Sequence, residues 1–142
     1  MANLHREGII HRDIKLENIV FDANGHIALT DFGLARITDD EEKLSDVCMY
    51  DLAGTAGYWA PEVITVTSKH GYGWQVDIWA MGMVFFEMAT NRTTSFYTAK
   101  TTAEIKRMMM LHNVPILEVE DNNLRNLLSY VSWFHTRKAS LI

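Results

Sequence analysis

The chain has 142 residues, 48 % hydrophobic and 22 % charged, which is enough for one domain or part of one. Two prolines, eight glycines and a single cysteine exclude a collagen, a disordered chain and a disulfide scaffold. With 13 basic against 18 acidic residues, a net charge of -5 and no basic run, the chain is a poor match for nucleic acid or anionic lipid.

The first residues lack the apolar core of a signal peptide. The most apolar stretch, Ile78 to Ala89, falls short of the ~20 residues that a membrane helix needs. Cys48 has no partner for an internal bridge, in keeping with a reducing compartment. A cytoplasmic or nuclear protein is expected.

Along the chain, the first clear element is a hairpin. Ile19-Val20-Phe21 and Ile27-Ala28-Leu29 flank Asp22-Ala23-Asn24-Gly25, and Asn-Gly tolerates the positive φ of a tight turn. An acidic, solvated loop follows, with Asp39, Asp40, Glu41, Glu42 and Asp46 offset by Lys43. After Pro61, the run His70-Gly71-Tyr72-Gly73 interrupts regular structure, and a helix from about Val76 is apolar nearly all round, so burial on every side is expected. Gly82 in its middle costs roughly 1 kcal/mol against Ala and points to close backbone packing. Thr101-Thr102-Ala103-Glu104 has capping-box spacing ahead of a helix that aligns Ile105, Met108, Met109 and His112. Asp121-Asn122-Asn123 caps a last helix with Leu124, Leu127, Leu128 and Val131 on one face.

Three clusters carry the chemistry: His11-Arg12-Asp13-Ile14-Lys15-Leu16-Glu17-Asn18, then Asp31-Phe32-Gly33, then Gly54-Thr55-Ala56-Gly57-Tyr58-Trp59-Ala60-Pro61-Glu62. In this order and spacing the chain resembles the eukaryotic protein kinases, whose H-R-D-x-K-x-x-N, D-F-G and A-P-E motifs it matches. One such motif is a weak signal; three in register leave coincidence negligible.

The resemblance implies a protein kinase-like fold, mainly α with a small β-hairpin. Residues 1–142 would form a partial domain, the C-terminal (large) lobe from catalytic loop to penultimate helix, with the N-terminal β lobe absent. No glycine-rich loop, strand lysine or partner glutamate precedes His11, and Gly71-Tyr72-Gly73 only half-imitates a glycine loop behind Ala60-Pro61-Glu62. The implied reaction moves the γ-phosphoryl group of ATP, with Mg²⁺, to a Ser/Thr of a protein substrate. Phosphoryl transfer needs a base at the attacking hydroxyl and cations on the phosphates. Asp13 can accept the hydroxyl proton, Lys15 can place its charge on the transferring group, and Asn18 and Asp31 offer hard oxygens that suit Mg²⁺. Lys15 and the Gly54-Thr55 pair imply serine/threonine specificity, with Thr55 bonding near Asp13 and Lys15.

Further roles follow from the same resemblance. His11 and Phe32 belong to a hydrophobic spine anchored by Asp77. Val20 forms the floor under adenine, with Val84 and Met88 beneath it. Glu62 pairs with Arg137 or Lys138. The group containing the cyclic-nucleotide-dependent kinases is the nearest resemblance, which implies a substrate with basic residues before the acceptor, read by Glu17 and Glu87. Arg12 before Asp13 implies activation by an upstream kinase, but Asp51 stands where that group carries a phosphothreonine; partial pairing of Asp51 with Arg12 is expected. Ser45, Tyr50 and Thr55 are rival phosphosites.

The remaining residues have plainer readings. His5, His26, His70, His112 and His135 lack metal-ligand spacing and read as core or surface residues. Met108-Met109-Met110 reads as helix packing, and Asn91-Arg92-Thr93 as a sequon that an intracellular chain does not use. Two function classes stand side by side: the large lobe of a serine/threonine kinase, and a truncated, non-catalytic kinase-like lobe that binds partners.

Overall fold

Short elements dominate the first sixty residues because the chain there is a string of loops pinned by side chains. The computed structural model describes residues 1–38, 44–90, 101, 103–104 and 120–129. Helix α1 (Ala2–Arg6) leads into strand β1 (Ile9–Ile10). Strands β2 (Ile19–Phe21) and β3 (Ile27–Leu29) form the expected antiparallel hairpin, in the register Ile19↔Leu29, Val20↔Ala28 and Phe21↔Ile27. Its turn is organised by Asp22, whose Oδ1 accepts the backbone N–H groups of Asn24 and His26, each at 2.8 Å. Only Gly25 takes a positive φ there, at 81°; Asn24 does not.

A second sheet was not anticipated from the sequence. Strand β4 (Arg36–Ile37) pairs antiparallel with β1, Ile9 opposite Ile37 and Ile10 opposite Arg36. Two-residue strands are too short to show the alternation by which strands are read. This sheet closes the loop from residue 11 to residue 35, so the hairpin and the three residues that follow it hang from a fixed base.

Helices α2 (Pro61–Ile64) and α3 (Gln75–Thr90) follow. Pro61 at the start of α2 fits a position whose N–H has no helical partner. Val76, Trp79, Ala80, Met83 and Val84 of α3 pack with Ile10, Ile14, Val47, Met49, Tyr58, Ala60, Val63 and Tyr72 in one core. Burial of each large aliphatic side chain contributes about 1.5–3 kcal/mol. The expectation of burial on every side of α3 needs correction: Phe85 and Met88 are exposed among the described residues.

Both cap readings hold. Glu104 N–H donates to Thr101 Oγ1 and Thr101 N–H to Glu104 Oε2, both at 3.2 Å, a reciprocal capping box. Leu124 N–H donates to Asp121 Oδ1 at 2.7 Å at the head of a helix over 122–129. Leu128 is buried against Phe86, with Leu124 beside them, whereas Leu127 is exposed. The acidic run Asp39 to Lys43, the sequon, Ile105, Met108 to Met110, His112, Val131, His135, Arg137 and Lys138 lie outside the described residues.

Candidate active site

Asp77, in the first turn of α3, is fully buried and holds the loop ahead of Asp13. Its Oδ2 accepts His11 N–H at 2.8 Å and lies 2.9 Å from His5 Nε2; its Oδ1 accepts Arg12 N–H at 2.8 Å. A buried carboxylate demands such donors, and the donors in turn fix the backbone. Arg12 is thereby held at φ 70°, a conformation costly for a non-glycine residue. The contact from His5 was not legible in the sequence, where it read as an ordinary core or surface histidine.

The left-handed turn at Arg12 delivers Asp13 to a tight cluster. Asp13 Oδ1 accepts the hydroxyl of Thr55 at 2.7 Å, and Oδ2 accepts Lys15 Nζ at 2.8 Å. Lys15 Nζ also donates to Thr55 Oγ1 at 2.9 Å, which closes a triangle of acid, cation and hydroxyl. Asn18 Nδ2 donates to the Asp13 carbonyl at 2.8 Å. Asp13 is nearly buried, which by itself raises its pKa, but the bonds from Lys15 and Thr55 outweigh burial and hold it below the usual carboxylate range. Asp13 is therefore an anion at neutral pH, able to accept a proton once a hydroxyl displaces one of its partners.

The histidine beside it is set by the same network. Asp13 N–H donates to His11 Nδ1 at 3.3 Å, so Nδ1 is the acceptor and Nε2 carries the hydrogen given to the Thr30 carbonyl, 3.0 Å away. The His11 ring meets Phe32 edge-on, centroids 4.8 Å apart. Since Thr30 N–H also donates to the Asn18 carbonyl at 2.9 Å, the end of β3 is tied to the loop that carries Asn18.

Asp31 follows at φ 61°, with its Oδ1 accepting Gly33 N–H at 3.3 Å and its side chain exposed. Asn18 uses its amide nitrogen on Asp13, which leaves its carboxamide oxygen as the atom available to a hard cation. Among the described residues no three His, Cys, Asp or Glu gather as a metal cage. Two protein oxygens completed by phosphates and water suit Mg²⁺. Val20, also among the nucleotide-binding residues read from the sequence, is exposed; Val84 lies in the core and Met88 is exposed on α3.

The segment bearing Thr55 reaches the site by close backbone approach. Gly54 sits at φ 91°, and a Cβ there would stand 2.3 Å from the Arg12 carbonyl oxygen, so only glycine fits. Trp59 Nε1 donates to the Ala53 carbonyl at 2.8 Å and holds the curve. Asp51 pairs with Arg12 Nη2, as its place in the sequence suggested. Tyr72 joins them: Arg12 Nη2 donates to its hydroxyl at 3.0 Å, and that hydroxyl donates to the Asp51 carbonyl at 2.8 Å.

A further buried carboxylate is that of Glu87. Glu87 of α3 accepts the Tyr58 hydroxyl on Oε2 at 2.6 Å, while Oε1 is buried with no partner among the described residues. Burial raises the Glu87 carboxyl above its usual range despite the lowering by Tyr58, and burial beside Glu87 drives the Tyr58 hydroxyl up as well. Glu17 is exposed and near enough to act on both charges.

Known proteins resemble the chain along most of its length. The family described as Protein kinase domain matches residues 1–136. Human ribosomal protein S6 kinase alpha-4 is 40 % identical over 119 residues, covering 81 % of this chain and 14 % of that protein. Developmentally-regulated protein kinase 1 of Dictyostelium discoideum is 46 % identical over 89 residues, or 63 % of this chain and 12 % of that protein. The putative ribosomal protein S6 kinase alpha-1 of Caenorhabditis elegans is 44 % identical over 90 residues, 63 % of this chain and 11 % of that protein. The chain thus spans only a small part of the length of these relatives. It belongs to the protein kinase family, and its resemblance within that family is to the serine/threonine kinases.

Proposed function

We propose that the chain supplies the phosphoryl-acceptor half of a serine/threonine protein kinase domain, residues 1–142 forming its large lobe. The observation that carries this reading is the closed triangle of Asp13, Lys15 and Thr55. A base and a cation held within 3 Å of the Thr55 hydroxyl provide both charges that transfer to an alcohol requires.

In this reading the substrate hydroxyl takes up a hydrogen bond to Asp13. As its oxygen bonds to the γ-phosphorus of ATP and the bond from that phosphorus to the bridging oxygen breaks, Asp13 receives the proton and ADP departs. Lys15 sits beside the transferring group and offsets its negative charge. Asn18 and Asp31 would hold Mg²⁺, which neutralises the phosphate oxygens when bound. Val20 would lie against the adenine, with Val84 and Met88 behind it, and the remainder of the domain would cover that exposed face.

The reading extends to substrate choice. Among the described residues, one buried Glu87 carboxylate oxygen has no donor, a standing demand for a cation. With Glu17 close by, a basic side chain ahead of the acceptor serves it. The test is to give the intact protein labelled Mg·ATP and peptides that differ only in the acceptor, Ser, Thr or Tyr, with and without a preceding arginine. The expected product is phosphoserine and phosphothreonine, favoured by the arginine. Label on tyrosine alone, or none on any peptide, overturns the reading.

A further inference from the structure

The cluster of Arg12, Asp51 and Tyr72 is not needed for any chemical step, yet it joins three stretches of chain far apart in sequence. Arg12 adjoins the base, Asp51 precedes Thr55 by four residues, and Tyr72 precedes α3. We propose that these residues form a carboxylate clamp that holds residues 47–55 in the assembled position without phosphorylation, making Asp51 and Tyr72 positioning residues for Asp13. The inference rests on the reading of Asp13 as the base.

The bonds form a complete circuit. One Arg12 nitrogen donates both to Asp51 Oδ2 and to the Tyr72 hydroxyl, and that hydroxyl spends its own hydrogen on the Asp51 carbonyl. Next to it the backbones of Met49 and Tyr72 exchange two hydrogen bonds, at 2.8 and 2.9 Å. Residues 49 and 51 are therefore both tied to Tyr72, which is buried in the core. The Arg12 main chain is fixed from the other side by Asp77.

Charge explains why the acid is required. The Arg12 side chain is 11 % exposed, so its cation is largely withdrawn from water and needs an anion close by. Kinase loops commonly gain that anion by phosphorylation, which orders them through new bonds to arginine. Here a carboxylate already occupies the place. The Asp51 side chain is itself 63 % exposed, so the slight loss of hydration that works against its ionisation is outweighed by the bonds from Arg12, which hold the carboxyl below its ordinary range. A carboxylate carries less charge than a phosphate, about −1 against −1.5 to −2. The Tyr72 hydroxyl and the backbone bridge make up part of the difference. The consequence reaches Asp13 through two residues: Gly54 rests on the Arg12 carbonyl, and Thr55 beside it gives its hydroxyl to the base.

The test uses the intact protein treated with phosphatase and shown by mass spectrometry to carry no phosphate. Amide hydrogen exchange across residues 47–55 is compared for the native protein, Asp51→Asn, Asp51→Glu and Tyr72→Phe. Phosphatase treatment should leave native exchange unchanged. Asp51→Asn should speed it at least tenfold, Asp51→Glu should return it to within threefold of native, and Tyr72→Phe should fall between. In turnover, Asp51→Asn should lower kcat with the KM for ATP within twofold of native. The proposal is overturned if phosphatase alone loosens the native segment tenfold, or if Asp51→Asn exchanges like native. Exchange does not depend on turnover, so a native protein with a protected segment and no transfer activity defeats the functional reading and leaves the clamp standing.

Discussion

The acceptor side of the molecule and its hairpin side are built on opposite plans. Asp13, Lys15, Thr55, Arg12, Asp51, Tyr72 and Asp77 bond to one another, and Asp13, Tyr72 and Asp77 are buried. On the hairpin side, Val20, Phe21, Ile27, Phe32 and Leu34 are exposed, and among the described residues Asp31 bonds within its own loop. In the proposed reading, the difference teaches that proton acceptance would be preassembled by contacts inside the chain. Nucleotide binding, by contrast, would fall to an exposed apolar face.

The sharpest way to break the comparison is to remove its anchor. Asp77→Ala strands the N–H groups of His11 and Arg12 in a buried site, and should cost about 3–5 kcal/mol in urea unfolding of the intact protein. A loss below ~1 kcal/mol would mean that the loop is held by something other than this carboxylate.

A smaller effect is expected inside the triangle. Thr55→Ala removes a hydroxyl bonded to an ionised group, a contribution of about 1.5–3 kcal/mol, so kcat should fall about tenfold to a hundredfold. Thr55→Ser should keep most of the rate. Equal rates for the two variants would separate Thr55 from catalysis.

Next comes Glu87, buried on α3 beside Tyr58. Glu87→Gln should raise the KM for an arginine-containing peptide about tenfold, the size of one lost charged contact. The pH dependence has a definite sign. Folding raises this carboxyl, so its neutral form is the one favoured in the native state. That contribution is full below the ordinary glutamate range and is lost as pH rises through the raised value. A bound guanidinium favours the anion, so native peptide affinity should climb across the same window. Glu87→Gln should flatten both trends, as stability and KM series over pH would reveal.

The smallest effect belongs to the hairpin surface. Ile27 is 70 % exposed, and Ile27→Thr should shift unfolding stability by about 0.5 kcal/mol or less. A larger loss in the intact protein would show that this strand is covered there, and would sharpen the contrast rather than abolish it.

Sequence carried the acceptor side well because its residues sit at short, fixed spacings. His11 to Asn18 lie within one loop, and Gly54-Thr55 stands close ahead of Pro61. The pairing of Asp51 with Arg12 was legible from position, and the two caps from the spacing of Thr101 with Glu104 and of Asp121 with Leu124. What escaped was the through-space part. Tyr72 meets Asp51 across 21 residues and Tyr58 meets Glu87 across 29, with no local pattern to announce either contact. Strands β1 and β4 are two residues each, below the length at which a period of two can be seen. Helix α3 misled for the opposite reason: composition alone suggests a buried cylinder, but burial depends on which neighbours arrive, and Phe85 and Met88 have solvent on them.

The measurement that tests the account most directly is the rate of phosphoryl transfer by Asp13→Asn in the intact protein, set beside native protein in a single turnover. The substitution keeps the shape of the triangle but removes the proton acceptor. The account predicts a fall of about 10²–10⁴-fold, with ATP affinity unchanged within twofold. A rate within tenfold of native would contradict it, because the base would then lie elsewhere.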